Sequence, residues 1–432
     1  MTVVAVVGGG WAGCAAAVEL ASKGARVTLF EAARVLGGRA RCVEVNDRKL
    51  DNGQHILLGA YSETLRLLRT LGIAQDDVLL RLPLQMRYPE DSGGMDFVAP
   101  RLPAPLHLLV ALLRARGLGR EDKLALVRFS TSARWMDWRL HEDCSVAELL
   151  DRFDQTDRLI KLMWRPLCIA ALNTPPERAS AQVFLNVLRD SLGARRSASD
   201  MLIPRVDLTT LLPQQAAAFI EQHGGQVHFG ANVKKIYRDG DRWCIEPGDV
   251  SFDAVVIATQ PSVAAGLLDG LTDTSSLTAF SYEPITTCYL QYSPHVRLPL
   301  PFFALVDDGA SGDWGQFVFD RGQLDVAQNG LLSVVVSASA EAIAAGHHVL
   351  TEAIATQLAR VFRMPELDRP GWTQVITEKR ATYSCAPALA RPDNATGLAG
   401  LAIAGDYTAG DYPATLESAI RSGVQAAQYV LG

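Results

Sequence analysis

The first thirty-one residues admit few folds. An apolar run, Val3-Val4-Ala5-Val6-Val7, leads into Gly8-Gly9-Gly10-Trp11-Ala12-Gly13, and a second apolar run over 25–30 closes on Glu31. This spacing predicts a buried parallel strand, a glycine turn, a helix from Trp11 to about Lys23 ended by Gly24, and a second strand. Each glycine has its own duty. Gly8 permits the tight turn, Gly10 lets a pyrophosphate approach the backbone, and Gly13 lets helix and strand close up. The N–H groups at the helix start, around Trp11 and Ala12, face the phosphates. Glu31 is placed to accept from a ribose 2′-hydroxyl. An acid there argues against NADP, whose 2′-phosphate it would repel, and leaves FAD and NAD both open.

Two further segments narrow the choice. Gly37-Gly38-Arg39 offers exposed backbone N–H groups and a guanidinium for charge-assisted bonds to phosphate oxygens. Alone it reads as a turn with a surface arginine; beside the first motif it reads as a second phosphate-facing loop. Near the C-terminus an apolar strand ends in Gly405-Asp406, and Thr415-Leu416-Glu417-Ser418-Ala419 starts a helix. The acid can bind a ribityl hydroxyl. The helix start can place N–H groups where reduced flavin carries negative charge. A nicotinamide enzyme has no use for this third element. One long cofactor, FAD, accounts for all three. The polar stretch Asp51-Asn52-Gly53-Gln54-His55 then reads as a loop lining that cofactor.

The rest of the chain sets bounds. With 432 residues it is long enough for a large core or two domains sharing an interface. A net charge of −6 gives no hint of nucleic-acid binding. Seven scattered cysteines without a C-x-x-C pair fit reduced thiols in a cytosol, and the histidines show no ligand spacing. No cationic leader precedes the first strand, and no apolar stretch reaches transmembrane length. Residues 62–204 are predicted to be mainly helical, with a break forced by Pro166 in Met163-Trp164-Arg165-Pro166. Strand-like runs dominate from 226 to 378, and a helix closes the chain. The segment 106–113 is strongly apolar with arginines behind it. It reads either as a membrane-facing route for a water-insoluble substrate or as a core helix, the commoner fate of such a stripe.

The glycine loop, Glu31, Gly37-Gly38-Arg39 and Gly405-Asp406 together resemble the FAD signature of the flavin amine oxidase and phytoene desaturase superfamily. More narrowly, the string Asp51 to Tyr61, the string Trp164 to Pro176 and the closing Pro413 to Ala419 resemble the hydroxysqualene dehydroxylases. The resemblance implies an α/β fold: a discontinuous Rossmann-like FAD domain (1–61, 205–272 and 385–432) and a helical and mixed-sheet substrate domain (62–204 and 273–384). It implies that Gly8, Gly10 and Gly13 hold the pyrophosphate, Glu31 the ribose, and Gly37, Gly38 and Arg39 the other side of the pyrophosphate. Gly53, Gln54 and His55 would lie toward the flavin, Val233 at the adenine, Gly405 and Asp406 at the ribityl region, and the Leu416 N–H at the flavin pyrimidine. It further implies an isoprenoid substrate, association with squalene-synthase-like enzymes, and a cytoplasmic protein at or near the inner face of a membrane. Asp51 and His55 are the candidate acids nearest the flavin, Asp51 more simply read as fixing a turn. Amine oxidases carry an aromatic cage residue where this chain has Thr415, with Tyr407 and Tyr412 nearby, which argues against amine oxidation. A carotenoid-type desaturase and a flavin-free prenyl-lipid chaperone are the alternatives.

Overall fold

The structure, a computed structural model, describes residues 1–90, 92–248 and 250–432. Strand β1 (Val3–Val7) lies in the middle of a five-stranded parallel sheet. Strand β2 (Arg26–Glu31) flanks it on one side and Ala254–Ile257 on the other, with Gln226–Phe229 and Leu401–Ile403 at the edges. Such a sheet must be covered on both faces, and β1 is buried from Val4 to Val7. One cover is helix α1 (Trp11–Ser22), in which all but Ser22 are buried. The C-terminal helix, Leu416–Leu431, lies on α1 so closely that a Cβ at Gly423 would sit 2.1 Å from the Ala12 carbonyl oxygen. The two ends of the chain are therefore joined through helix contact.

A second sheet is antiparallel and five-stranded, in the order Phe302–Ala304, Phe317–Asp320, Leu331–Ser337, Tyr282–Gln291, Trp372–Tyr383. Its period-two alternation divides its faces. Val334 and Val336 join Cys288, Leu290 and the helix His347–Phe362 in one apolar cluster. Val335 and Ser337 point to the opposite side, into the cavity described below.

Residues 62–204 are mainly helical, as expected. Helices Ser62–Thr70, Leu106–Arg114 and Arg120–Trp135 form, as does Val146–Arg152 with a complete capping box from Ser145 and Glu148. Short strands are interleaved with them: Leu79–Leu82 pairs with Met201–Pro204, which pairs with Leu57–Leu58, and Gln85–Arg87 pairs with Asp96–Val98. Such strands owe their existence to partners far away in sequence, so their local pattern is weak. The expected break at Pro166 is absent. The chain passes from Asp157–Leu159 through a π-helical turn, Ile160–Trp164, into Arg165–Leu172. A π turn relaxes the i to i−4 ladder at the point where proline offers no donor.

Candidate cofactor and substrate site

Between the two sheets and the helical region lies a cavity of about 810 Å³. Gly8, Gly10, Trp11, Ala12, Glu31, Gly37, Gly38, Arg39, Gly53, Gln54, His55, Val233, Gly405, Asp406 and Leu416 all line it. Of the residues assigned to the cofactor from sequence, Gly13 alone does not. Its part is internal: a Cβ there would fall 1.8 Å from the Gly8 carbonyl oxygen, so it sets the distance between α1 and the turn.

Gly8 has φ +104°, a conformation that favours glycine. A Cβ at Gly10, in contrast, would meet no protein atom nearer than 3.9 Å, the Gly38 Cα. The absence of a side chain at Gly10 thus leaves open space in the cavity wall. The Gly37 N–H donates to the Gly9 carbonyl at 2.8 Å, tying the second glycine loop to the first. Glu31 accepts from the Gly9 N–H through one oxygen and from the Ala33 N–H through the other, both at 2.7 Å. Each carboxylate oxygen keeps a further acceptor site. The carboxylate therefore holds the loop in shape and can still receive a hydroxyl. The Ala231 N–H donates to the Glu31 carbonyl at 2.9 Å, which brings Val233 to the same end. Thr259 and Gln260, just past the strand Ala254–Ile257, also line the cavity. Sequence reasoning passed them over, although ligands in parallel sheets sit at the carboxyl ends of strands.

Arg39 and Asp406 meet each other, with Nη2 to Oδ1 at 2.6 Å, and Arg39 Nη1 also donates to the Ala381 carbonyl at 2.7 Å. The ion pair crosses the cavity wall between segments 367 residues apart. At the C-terminal helix, Thr415 is the N-cap, its hydroxyl accepting from the Ser418 N–H at 3.2 Å. Glu417, fully buried, accepts from the N–H groups of Glu63 and Thr64, from the Thr64 hydroxyl and from Arg421. It anchors one helix start on another and so fixes where the Leu416 N–H points.

Neither expected acid is set up to donate a proton. Asp51 is buried outside the cavity lining, its Oδ1 accepting from the Leu208 N–H at 2.8 Å, and burial raises its carboxyl to about 6. His55 gives its Nδ1 proton to the Gly53 carbonyl at 2.9 Å, and burial holds the ring below the usual histidine range. The neutral ring then presents Nε2 as an acceptor. The tyrosines differ among themselves. Tyr412 donates to Asp190 at 2.6 Å, whereas the buried Tyr407 hydroxyl has no partner among the described residues. Burial, and then Asp406, push the Tyr407 phenol far above the ordinary tyrosine range, so it stays protonated. Gly405 has no side chain because the Tyr407 ring lies over it, 2.3 Å from where a Cβ would be. Beyond the tyrosines the cavity is walled by Met86, Leu167, Phe184, Phe302, Phe317 and Phe319.

A family model, described as flavin containing amine oxidoreductase, matches residues 11–431. The chain belongs to this family. It is an FAD-dependent oxidoreductase with the flavin amine oxidase fold. Its relatives include the hydroxysqualene dehydroxylase of Rhodopseudomonas palustris, 30% identical over 99% of this chain and 98% of that protein. Another is the zeta-carotene desaturase of Synechocystis, 25% identical over 99% and 97%. Among solved structures, cyclohexylamine oxidase from Brevibacterium oxydans superposes with a TM-score of 0.69 at 17% identity, covering 99% and 98% of the two chains. An oxidoreductase from Methanosarcina mazei does so with a TM-score of 0.74 at 14% identity, covering 99% of each. The oxidoreductase cavity fits FAD on its own geometry: open space at Gly10, acceptor capacity on Glu31, and a phenol at Tyr407 with no partner among the described residues.

Proposed function

We propose that this FAD enzyme reduces hydroxysqualene to squalene, within isoprenoid and hopanoid biosynthesis. The observation that carries the reading is the single cavity with two unlike ends: a glycine and carboxylate end suited to FAD, and an aliphatic and aromatic end suited to an isoprenoid. Full-length similarity to proteins named hydroxysqualene dehydroxylase supports the same choice over carotene desaturation. The N-cap role of Thr415 supports it over amine oxidation, since a small capping residue builds no aromatic cage.

In this reading residues 1–61, 205–272 and 385–432 hold the cofactor and the remainder holds the substrate. Gly8, Gly10, Gly37 and Gly38 expose backbone to the pyrophosphate, Glu31 takes the ribose, and the Arg39–Asp406 pair opens toward phosphate and ribityl oxygens. Leu416 offers its N–H to the flavin pyrimidine. Reduced flavin supplies the hydride when bound. The apolar walls exclude water while the allylic C–O bond breaks, which protects a carbocation from capture. The hydroxyl leaves as water, its oxygen taking up one proton as the carbon takes up the hydride.

The decisive experiment is anaerobic incubation of the flavin-loaded protein with hydroxysqualene and a chemical reductant, with mass spectrometry of the products. Squalene is expected. Turnover of phytoene or an amine with no squalene formed would replace the reading with a desaturase or an oxidase.

A further inference from the structure

The helix Leu106–Arg114 is not a core helix. Only His107, Ala111 and Leu112 are buried. Leu106, Leu109 and Leu113, spaced to share one face, are 48%, 47% and 67% exposed. The next helix, Arg120–Trp135, shows the same outward pattern with Leu124, Val127 and Trp135, and Trp135 is 89% exposed. Lys123, in the first turn of the second helix, donates to the Leu113 carbonyl at the end of the first at 3.0 Å. With Leu102, seven of the sixteen exposed large apolar side chains among the described residues fall in this one segment. Monomers rarely gather so much apolar surface without a use for it.

Charge accompanies the apolar face. Residues 101–139 carry eight Lys or Arg against three Asp or Glu, a local +5 in a chain of net charge −6. Arg101, Arg114, Arg116, Arg120, Arg128, Arg134 and Arg139 are exposed and form no ion pair among the described residues. Apolar side chains bordered by unpaired arginines, with a tryptophan at the margin, match the interface of an anionic bilayer: acyl chains for the leucines, phosphates for the guanidiniums. No helix among the described residues is long and apolar enough to cross a membrane, so the pair of helices would lie on the surface.

We propose that this pair of helices docks the protein on an anionic lipid surface. The buried side of the first helix abuts the cavity wall: His107 Nε2 is 3.5 Å from the Ser199 hydroxyl, and Ser199 lines the cavity. The docking is independent of the substrate.

The test is vesicle flotation of the flavin-loaded protein, which reads no activity. Wild type is expected to float with phosphatidylcholine vesicles containing phosphatidylglycerol, less with phosphatidylcholine alone, and less again in high salt. The triple variant L109E/L113E/W135E should lose partitioning about tenfold or more while keeping its bound flavin. Removing Arg116, Arg120 and Arg128 to Gln should weaken binding to the anionic vesicles roughly fivefold per charge. Val326→Glu, at an exposed apolar position on another part of the molecule, should change nothing. Wild type that fails to float, a triple variant that floats as wild type does, or an ultracentrifugal dimer dispersed by the triple variant would overturn the proposal, the last assigning the face to a second copy.

Discussion

The two ends of the cavity recognise their ligands by opposite means. At the glycine end the wall is mostly backbone: Gly8, Gly10, Gly37 and Gly38 carry no side chain between backbone and cavity, Glu31 is held by two loop N–H groups and Asp406 by Arg39. At the far end the wall is side chain: Met86, Leu167, Phe184 and three phenylalanines of the antiparallel sheet present shape with almost no directional bonding. A charged ligand needs fixed donors, and fixed donors need an over-determined backbone. An apolar ligand needs only dry volume, which many side-chain combinations supply. The first end is therefore rigid in its demands and the second tolerant.

The sharpest way to break that contrast is inside the glycine motif. Gly13→Ala forces a Cβ against the Gly8 carbonyl and should cost about 4 kcal/mol or leave the protein insoluble, read by thermal unfolding. Gly10→Ala, with 3.9 Å of clearance, should fold normally yet purify with little flavin. If both behaved alike, the separate duties of the two glycines would be wrong. Next in size, Glu417→Ala strips four donors of their buried acceptor. It should cost about 3 kcal/mol in denaturant unfolding and lower flavin retention, because Leu416 is then unanchored.

At the tolerant end, Leu167→Asp places a charge in the apolar wall. It should cut kcat/KM for an isoprenoid substrate about 100-fold with flavin content unchanged, whereas loss of flavin in step with activity would show the two ends to be one mechanical unit. The smallest effect sits between them. Asp51 is raised to about 6 by burial, so the folded state holds its proton more tightly than the unfolded chain does. Its penalty is absent below about pH 4, grows as pH rises through 6 and is complete above it. Asp51→Asn keeps the acceptor for the Leu208 N–H and removes the charge. It should raise stability by roughly 1–3 kcal/mol at pH 8 and by nothing near pH 4. A difference that stays constant with pH would contradict this account.

What could be read in advance follows the same divide. The βαβ start and the closing helix were each legible because their signals are local: glycine positions, apolar runs and turn residues. The residues assigned to the cofactor carry signals of the same local kind, and fifteen of them line one cavity. The short strands at Leu79–Leu82 and Met201–Pro204 were not, since each exists only through the other. The continuous helix through Pro166 was not, because the π turn that accommodates it is decided by packing of Leu162, Met163 and Trp164 into the core. The choice between a core helix and a surface helix at 106–113 was undecidable from hydropathy alone, for hydropathy says how apolar a face is and not what lies against it.

By itself the sequence determined the cofactor class and the architecture around it, because steric demands at glycines and the reach of a carboxylate act over a few residues. Only the tertiary structure decided that Arg39 and Asp406 form one ion pair, that Thr415 is a cap, that His55 is an acceptor, and that the leucines of 106–113 face outward. Each of these depends on which groups meet across hundreds of residues, and burial, hydrogen-bond partnership and pKa are properties of that meeting rather than of the residues alone.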